Sequence, residues 1–300
     1  MPTRRQTLAG LAVAALLCVL GTAPVGSSAA QPAAAPTPPR RIISLVPALT
    51  EMLFAIGAGP QVVAVSSFDT YPPEVAQLPR VGALLDPDVE RMMSLTPDLV
   101  AIYGTQTDLK RQLERANIPV FEYRHGGLAD VFATIRALGQ RTGHGARASE
   151  VADGLERRIE AIRQRTAGRA RRRVLLVFGR EMGSLRNIYA SGGRGFLHDM
   201  LTAAGGINVF ADVQREAVQA TTELVLTRAP DVILELHEDR AWTAANTAET
   251  IAIWGRLAAV PAVKDGRVHV LAGEGLVVPG PRVADALERV ARALHPETAR

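Results

Sequence analysis

The stretch Gly145-Ala-Arg-Ala-Ser-Glu-Val-Ala-Asp-Gly154-Leu-Glu-Arg-Arg-Ile-Glu-Ala-Ile-Arg-Gln-Arg-Thr-Ala-Gly168 reads as one long helix standing between two similar halves. From Ala146 to Ala167 the apolar residues Ala148, Val151, Ala152, Leu155, Ile159 and Ile162 recur three and four apart, with charged residues between them. Asp153 stands four before Arg157 and Glu160 three before Arg163, so opposite charges are expected to meet on the wet face. Gly145 precedes the run and Gly168 follows it, where a helix stops. At the standard rise the helix would be about 33 Å long, the diameter of a small domain. Gly154 weakens it by about 1 kcal/mol against alanine. A helix of that length between two alike halves reads as a strut.

The halves are alike by internal repetition. Glu90-Arg-Met-Met-Ser-Leu-Thr-Pro97-Asp-Leu-Val100 precedes the strut, and Glu223-Leu-Val-Leu-Thr-Arg-Ala-Pro230-Asp-Val-Ile233 follows it. In each, a Glu opens a short helix, Pro-Asp ends it, and a β-branched strand begins. Arg41-Ile-Ile-Ser-Leu is answered by Arg173-Val-Leu-Leu-Val, and Phe54-Ala-Ile-Gly-Ala-Gly59 by Leu201-Thr-Ala-Ala-Gly-Gly206. Pro119-Val-Phe before Gly127 is echoed by Arg267-Val-His before Gly275. The echoes keep their order.

Three hundred residues, 47% of them hydrophobic, suffice for two domains with real cores. Arg4-Arg5, the apolar run Leu8 to Leu20 and Ser28-Ala29-Ala30 read as a secretory signal peptide over residues 1–30, too short to span a membrane. Pro32 to Pro39 then forms a Pro/Ala tether, residues 31–40. Cys18, the single cysteine, lies in the leader, so the mature chain has no disulfide; this suits a bacterial periplasm. Losing Arg4 and Arg5 with the leader takes the net charge from +4 to +2. Arginines are scattered among acids, with no basic run carrying aromatics, so a nucleic-acid partner is not expected.

Strands alternate with helices through both halves, which predicts an α/β fold with open, mainly parallel sheets and helices on both faces. The boundaries expected are an N-terminal lobe at 41–144, the linker helix at 145–170 and a C-terminal lobe at 171–300. Pro47-Ala48-Leu49 is expected as a loop before a helix at Thr50, Gly179 to Gly195 as a long polar loop, and Thr250 to Leu257 as a helix. In such sheets ligands bind outside the carboxyl ends of the strands. Those ends carry Pro47 to Leu49, Phe68 to Tyr71, Tyr103 to Gln106 and Tyr123 to His125 in one half. In the other they carry Phe178 to Tyr189, Glu235 to Trp242 and Ala272 to Pro281. The expected arrangement sets Tyr71 and Tyr103 across a cleft from Phe178 to Tyr189.

Enzyme signatures are missing. Neither Lys110 nor Lys264 stands in a P-loop, and the mature chain has no Gly-x-Ser-x-Gly elbow. Ser191-Gly-Gly-Arg-Gly195 lacks dinucleotide spacing and reads as a turn, though its amides offer an anion site. The six histidines are dispersed, and His125 and His237 sit at strand ends without metal-ligand spacing. No resident metal or cofactor is expected. The cleft loops instead supply Tyr71, Tyr103 and Tyr189, apolar Ala48, Leu49, Leu85 and Phe178, and the arginines Arg180 and Arg186. That mixture suits a large, flat, partly apolar chelate with polar edges. Glu90 and Glu223, each in a first helical turn, favour the positive end of the dipole and are candidates to complete a cap.

Several of these segments together resemble the periplasmic binding proteins for vitamin B12, haem and ferric siderophores. They are Arg41-Ile-Ile-Ser-Leu-Val-Pro-Ala-Leu-Thr-Glu51, Asp69-Thr-Tyr71-Pro-Pro73, Val81-Gly82, Glu90 to Val100, and Leu201 to Phe210. The resemblance runs from Arg40 to about Pro296. It implies two Rossmann-like lobes on one backbone helix, little hinge motion, and a monomer that delivers its solute to an inner-membrane ABC permease with its ATPase. It also implies that Glu90 and Glu223 dock onto permease arginines. The Tyr71 loop looks most like the B12 branch, where the matching tyrosine lies against the corrin. The tryptophans of that branch's cleft fall near Leu84 and Val218 here. The solutes left open are cobalamin or another corrinoid, haem and a ferric siderophore, beside a free-metal binder or an exported enzyme on the same fold.

Overall fold

The computed structural model describes residues 37–298, so the leader and most of the tether lie outside the described residues. The first sheet has four strands, all parallel, in the order β2 (Val62–Val65), β1 (Ile42–Ser44), β3 (Leu99–Tyr103), β4 (Val120–Tyr123). Its connections are α1 (Pro47–Ala55), α2 (Val89–Ser94) and α3 (Thr107–Arg115). After β4 the chain forms α4 (Leu128–Thr142), turns at Gly143 and His144, and runs back as α5 (Gly145–Thr166).

The second sheet has six strands. β5 (Arg173–Gly179), β9 (Val232–His237) and β10 (Val268–Ala272) repeat the parallel order of β1, β3 and β4. β6 (Ile188–Ser191) and β8 (Ala217–Ala220) extend it antiparallel, and the short β7 (Ile207–Asn208) lies beside β5. Around it lie α6 (Phe196–Ala203), α7 (Thr222–Arg228), α8 (Ala244–Trp254), α9 (Pro261–Lys264) and α10 (Val283–Leu294).

The side-chain alternation of each strand sorts three apolar layers. Ile42, Leu99 and Ala101 of the first sheet join Val174, Leu176 and Leu234 of the second in one continuous core, to which α5 contributes Ala148, Ala152, Leu155, Ile159 and Ile162. Ile43, Val100 and Ile102 face a separate layer under α2 and α3. Leu175, Val177 and Ile233 face another, with Phe210 and Trp254. The strut is therefore the shared wall of both lobes. Its wet face ties to both as well: Arg136 of α4 holds Asp153 at 2.7 Å and Glu156 at 2.9 Å. Arg158 and Arg165 reach Asp285 and Glu288 of α10, each at 2.5 Å. Exposed pairs of this kind contribute about 1 kcal/mol or less each. The expected pairing of Glu160 with Arg163 is present at 3.9 Å; Asp153 is instead taken by Arg136, because α4 lies against that face. Gly139 makes the close packing possible, since a Cβ there would lie 2.2 Å from that of Ala148.

The internal repeat has a physical cause. Asp98 accepts from the amides of Arg40 and Arg41, both at 2.8 Å, and Asp231 accepts from the amide of Arg173 at 2.9 Å. Arg41 donates to the carbonyl of Leu95, the C-cap of α2, and Arg173 to that of Arg228, the last residue of α7. The residues before the two prolines, Thr96 and Ala229, both take positive φ, 44° and 43°. Each Pro-Asp thus closes a helix and pins the start of a neighbouring strand.

Three expectations about element limits need correction. α1 begins at Pro47, because proline suits the first helical position, so Ala48 and Leu49 are helical and not loop. The expected polar loop contains β6, whose Ile188 and Ala190 are buried while Tyr189 is exposed. α8 starts at Ala244, where Thr243 and Asn246 form a reciprocal cap.

Candidate functional site

The carboxyl ends of the two sheets bound a pair of neighbouring chambers, each lined from both lobes. The first, of ≈ 380 Å³, takes Glu51, Phe68 and Tyr71 from the N-terminal lobe and Glu238, Glu274 and Arg282 from the other. The second, of ≈ 350 Å³, sets His125 and Gly126 against Phe178, Phe196, Val277 and Arg194. Val277 lines one and Val278 the other, so they adjoin.

Tyr71 is presented by a braced loop. Asp69 accepts from the amide and hydroxyl of Ser66 at 2.9 and 2.6 Å, and Arg80 donates to the carbonyls of Ser66 and Asp69. Burial pushes the Asp69 carboxyl above its ordinary value, and the Ser66 hydrogen bonds only partly offset this. On one face of the Tyr71 ring lies the Arg282 guanidinium, 4.1 Å from the centroid. Arg282 in turn donates Nε to Glu51 Oε2 at 2.9 Å and Nη2 to Glu51 Oε1 at 2.6 Å, a two-pronged bond across the lobes. Burial raises the Glu51 carboxyl, and the Arg282 hydrogen bond and charge pull it back without cancelling the rise. Nearby, Arg240 pairs with Glu274, and Glu238 accepts from the amides of Gly275 and Val277.

In the second chamber His125 stacks on Tyr103 at 5.7 Å between centroids and meets the edge of Tyr123 at 5.1 Å. Burial raises both phenols, with the Asp69 charge adding to it at Tyr103, so both rings stay neutral at ordinary pH. In the glycine-rich stretch the amides of Gly192, Gly193 and Arg194 donate to the carbonyls of Glu216, Val213 and Arg215, so these three residues form a packed turn.

The residues expected in the cleft disperse. Tyr71 reaches the first chamber and Phe178 the second, with Tyr103 behind His125. Ala48 and Leu49 are buried in the core by the early start of α1, Leu49 at 0% exposure. Arg180 is withdrawn too: its side chain is 0% exposed, 3.0 Å from the equally buried Glu235. Glu235 also accepts from Trp254 Nε1 at 2.6 Å and faces His237 Nε2 at 2.8 Å. Burial alone would raise that carboxyl; the His237 and Trp254 hydrogen bonds and the Arg180 charge outweigh it and hold it below the ordinary value. Arg186 is exposed and paired with Glu181, and Tyr189 is exposed on β6. Leu85 is 93% exposed on the turn that Gly82 makes at φ 79°, where a Cβ would lie 2.2 Å from the Asp86 carbonyl. It borders a groove of the N-terminal lobe with Gln106 and Thr107 and lines neither chamber. Tyr71 is faced by the 238–282 segments, not by 178–189 as expected.

Glu51, Arg194, Phe196, Glu274 and Arg282 were missed as cleft residues. Glu51, Glu274 and Arg282 had a signal, by lying in or next to strand-end segments. Among the described residues no group of three or more His, Cys, Asp or Glu stands close enough to hold a metal ion.

Glu90 and Glu223 are exposed in the first turns of α2 and α7. The caps are other residues: Asp88 accepts from the amide of Arg91 and Thr221 from that of Leu224.

Comparison with known proteins gives this architecture its relatives. The vitamin B12-binding protein of Salmonella typhimurium is 32% identical over 254 residues, 83% of this chain and 86% of that protein. The periplasmic vitamin B12 binding protein BtuF of Vibrio cholerae superposes with a TM-score of 0.73 at 26% identity, over 88% of this chain and 99% of that one. The periplasmic haem-binding protein RhuT of Roseiflexus superposes with a TM-score of 0.72 at 29% identity, over 86% and 99%. The family model described as periplasmic binding protein matches residues 42–274, and the chain belongs to that family, the solute-binding components of ABC importers.

Proposed function

We propose that this protein captures a corrinoid, cobalamin or a close relative, in the periplasm and hands it to an inner-membrane permease driven by its ATPase. The observation that carries this is the braced Tyr71 in a chamber that both lobes line, beside a second chamber walled by Phe178 and Phe196. A flat macrocycle fits aromatic walls, and amide side chains fit the mixed carboxylate and guanidinium rim. The B12-binding relative at 32% identity supports the same solute. The protein works as a monomer of two lobes, 41–144 and 171–300, on the 145–170 strut, and Glu90 and Glu223 engage permease arginines. Titrating the purified protein with cyanocobalamin tests the solute. Binding that Tyr71→Ala weakens roughly tenfold, the loss of one stacked ring and its buried area, fits the proposal. Haem binding with no response to cobalamin overturns it.

A second reading, haem or another iron chelate, rests on His125. Its ring lines the second chamber and, among the described residues, neither nitrogen has a hydrogen-bond partner, which leaves it placed to meet a chelated iron. A haem spectrum that changes in His125→Ala would favour this reading.

A further inference from the structure

The arginines of the first chamber are paired with its own carboxylates, and this sets a condition on the solute that its shape does not. Arg282 is held by Glu51 through two hydrogen bonds at 2.6 and 2.9 Å, and its Nη1 lies 3.9 Å from Glu274. Arg240 is held by Glu274. Arg194, in the second chamber, donates to Gln214, and Glu216 lines the same wall. With Glu238, four carboxylates face three guanidiniums across the two chambers, one negative charge in excess. In the first chamber no guanidinium is left over for an incoming anion. A carboxylate or catecholate placed there would have to displace Glu51 or Glu274 from an arginine. Amide N–H and C=O groups make no such demand, because they donate to the carboxylates and accept from the guanidiniums in place.

We propose that the Glu51–Arg282 and Arg240–Glu274 pairs are a charge filter, making this binding protein selective for neutral or cationic chelates with amide edges over polyanionic ones. The inference rests on the solute-binding reading above but not on the solute being a corrinoid: a neutral ferric trihydroxamate passes the filter as cobalamin does. Arg282 has a positioning duty as well, since the same guanidinium covers one face of Tyr71.

The test is a set of titrations at pH 7.5 with four probes: cyanocobalamin, a neutral ferric trihydroxamate, haemin and a ferric triscatecholate. The native protein should bind at least one neutral probe tenfold or more tightly than either anionic one. Glu51→Gln keeps the shape and frees the Arg282 charge; Glu274→Gln does the same for Arg240 at a more exposed position. Each should narrow the neutral-to-anionic ratio about tenfold, chiefly by strengthening the anionic probes. If the pairs merely tie the lobes together, all probes weaken in parallel and the ratio stays fixed, which overturns the filter. Native preference for haemin or the catecholate overturns it as well. Binding of the trihydroxamate alone, with the ratio shifting in both variants, sinks the corrinoid assignment and leaves the filter standing.

Discussion

β3 and β9 are two copies of one strand, alike where they begin and different where they end. Both start at a Pro-Asp whose carboxylate pins the strand before, Asp98 on Arg41 and Asp231 on Arg173. Four residues past that aspartate, the first copy has Ile102 and the second Glu235, both at 0% exposure. Seven residues past the paired arginines, Ala48 lies in the apolar core and Arg180 in the ionic cluster around Glu235. The strand-start device is structural, so each half keeps it. The strand ends bear the cleft, and there the lobes have separated. In the N-terminal lobe the chain turns directly into α1, whose Ala48 and Leu49 pack into the core. In the C-terminal lobe it leaves β5 into a long loop, and Arg180 Nη1 holds that loop by the carbonyls of Glu181 and Ser184. A buried charge there substitutes for a helix.

The largest effect should come from removing that substitute. Glu235→Ala leaves the Arg180 charge buried without a counterion, a loss of about 3–5 kcal/mol. Ile102→Ala removes the apolar counterpart for about 2–5 kcal/mol. Denaturant melts across pH separate the two. The folded Glu235 carboxyl lies below its ordinary 4.5, so its stabilisation is complete above about pH 4.5 and lost as pH falls through the folded value. Glu235→Ala should therefore flatten the acid limb of the stability profile, whereas Ile102→Ala lowers the whole profile without changing its shape. Identical profile shapes would mean that the two strand ends are held alike after all.

The outer ends of the lobes make the opposite case. Glu90 and Glu223 occupy matched positions, exposed and not used as caps. The Glu223 carboxyl is held below its ordinary value, by its own backbone amide first and the Thr221 hydroxyl second. The double variant Glu90→Ala with Glu223→Ala should lower uptake roughly tenfold, about 1.4 kcal/mol over both contacts, with solute affinity unchanged. Each single variant should account for about half of that on a logarithmic scale, and native uptake should fall with added salt. Uptake that depends on only one of the two would break the symmetry between the lobes; normal uptake in the double variant removes the docking role.

What could be read without coordinates follows from the range of each interaction. α5 announced itself through period and bounding glycines, and the repeat through Pro-Asp, because both are set by neighbours within a few residues. The early start of α1 was available in Pro47 but lost to the assumption that the strand-end segment is loop. β6 offered only Ile188 and Ala190 as alternation, too little to distinguish from a polar loop. Arg180 read as a cleft arginine open to a solute because nothing near it in sequence supplies the burial; Glu235 lies 55 residues away. Glu51 and Arg282, 231 residues apart, had no local signal at all as a pair.

The smallest effect belongs to the element that neither lobe owns. α4 and α5 each carry an interior glycine, and the two differ in what surrounds them. At Gly139 a Cβ would lie 2.2 Å from that of Ala148, so alanine there forces the helices apart. At Gly154 a Cβ would meet only Arg157 Nη2, at 4.0 Å. Gly154→Ala has space and a helical backbone, so it should stabilise the protein by about 0.5–1 kcal/mol, read as a modest rise in Tm. The unfolded chain loses freedom and the folded one loses nothing. Uptake then decides whether that is all the glycine does. A higher Tm with unchanged uptake means the lobes move, if they move, on a strut that stays stiff at 154. A higher Tm with slower uptake means that the helix must bend there for delivery, and the strut joins the two strand ends as a place where stability was set aside for function.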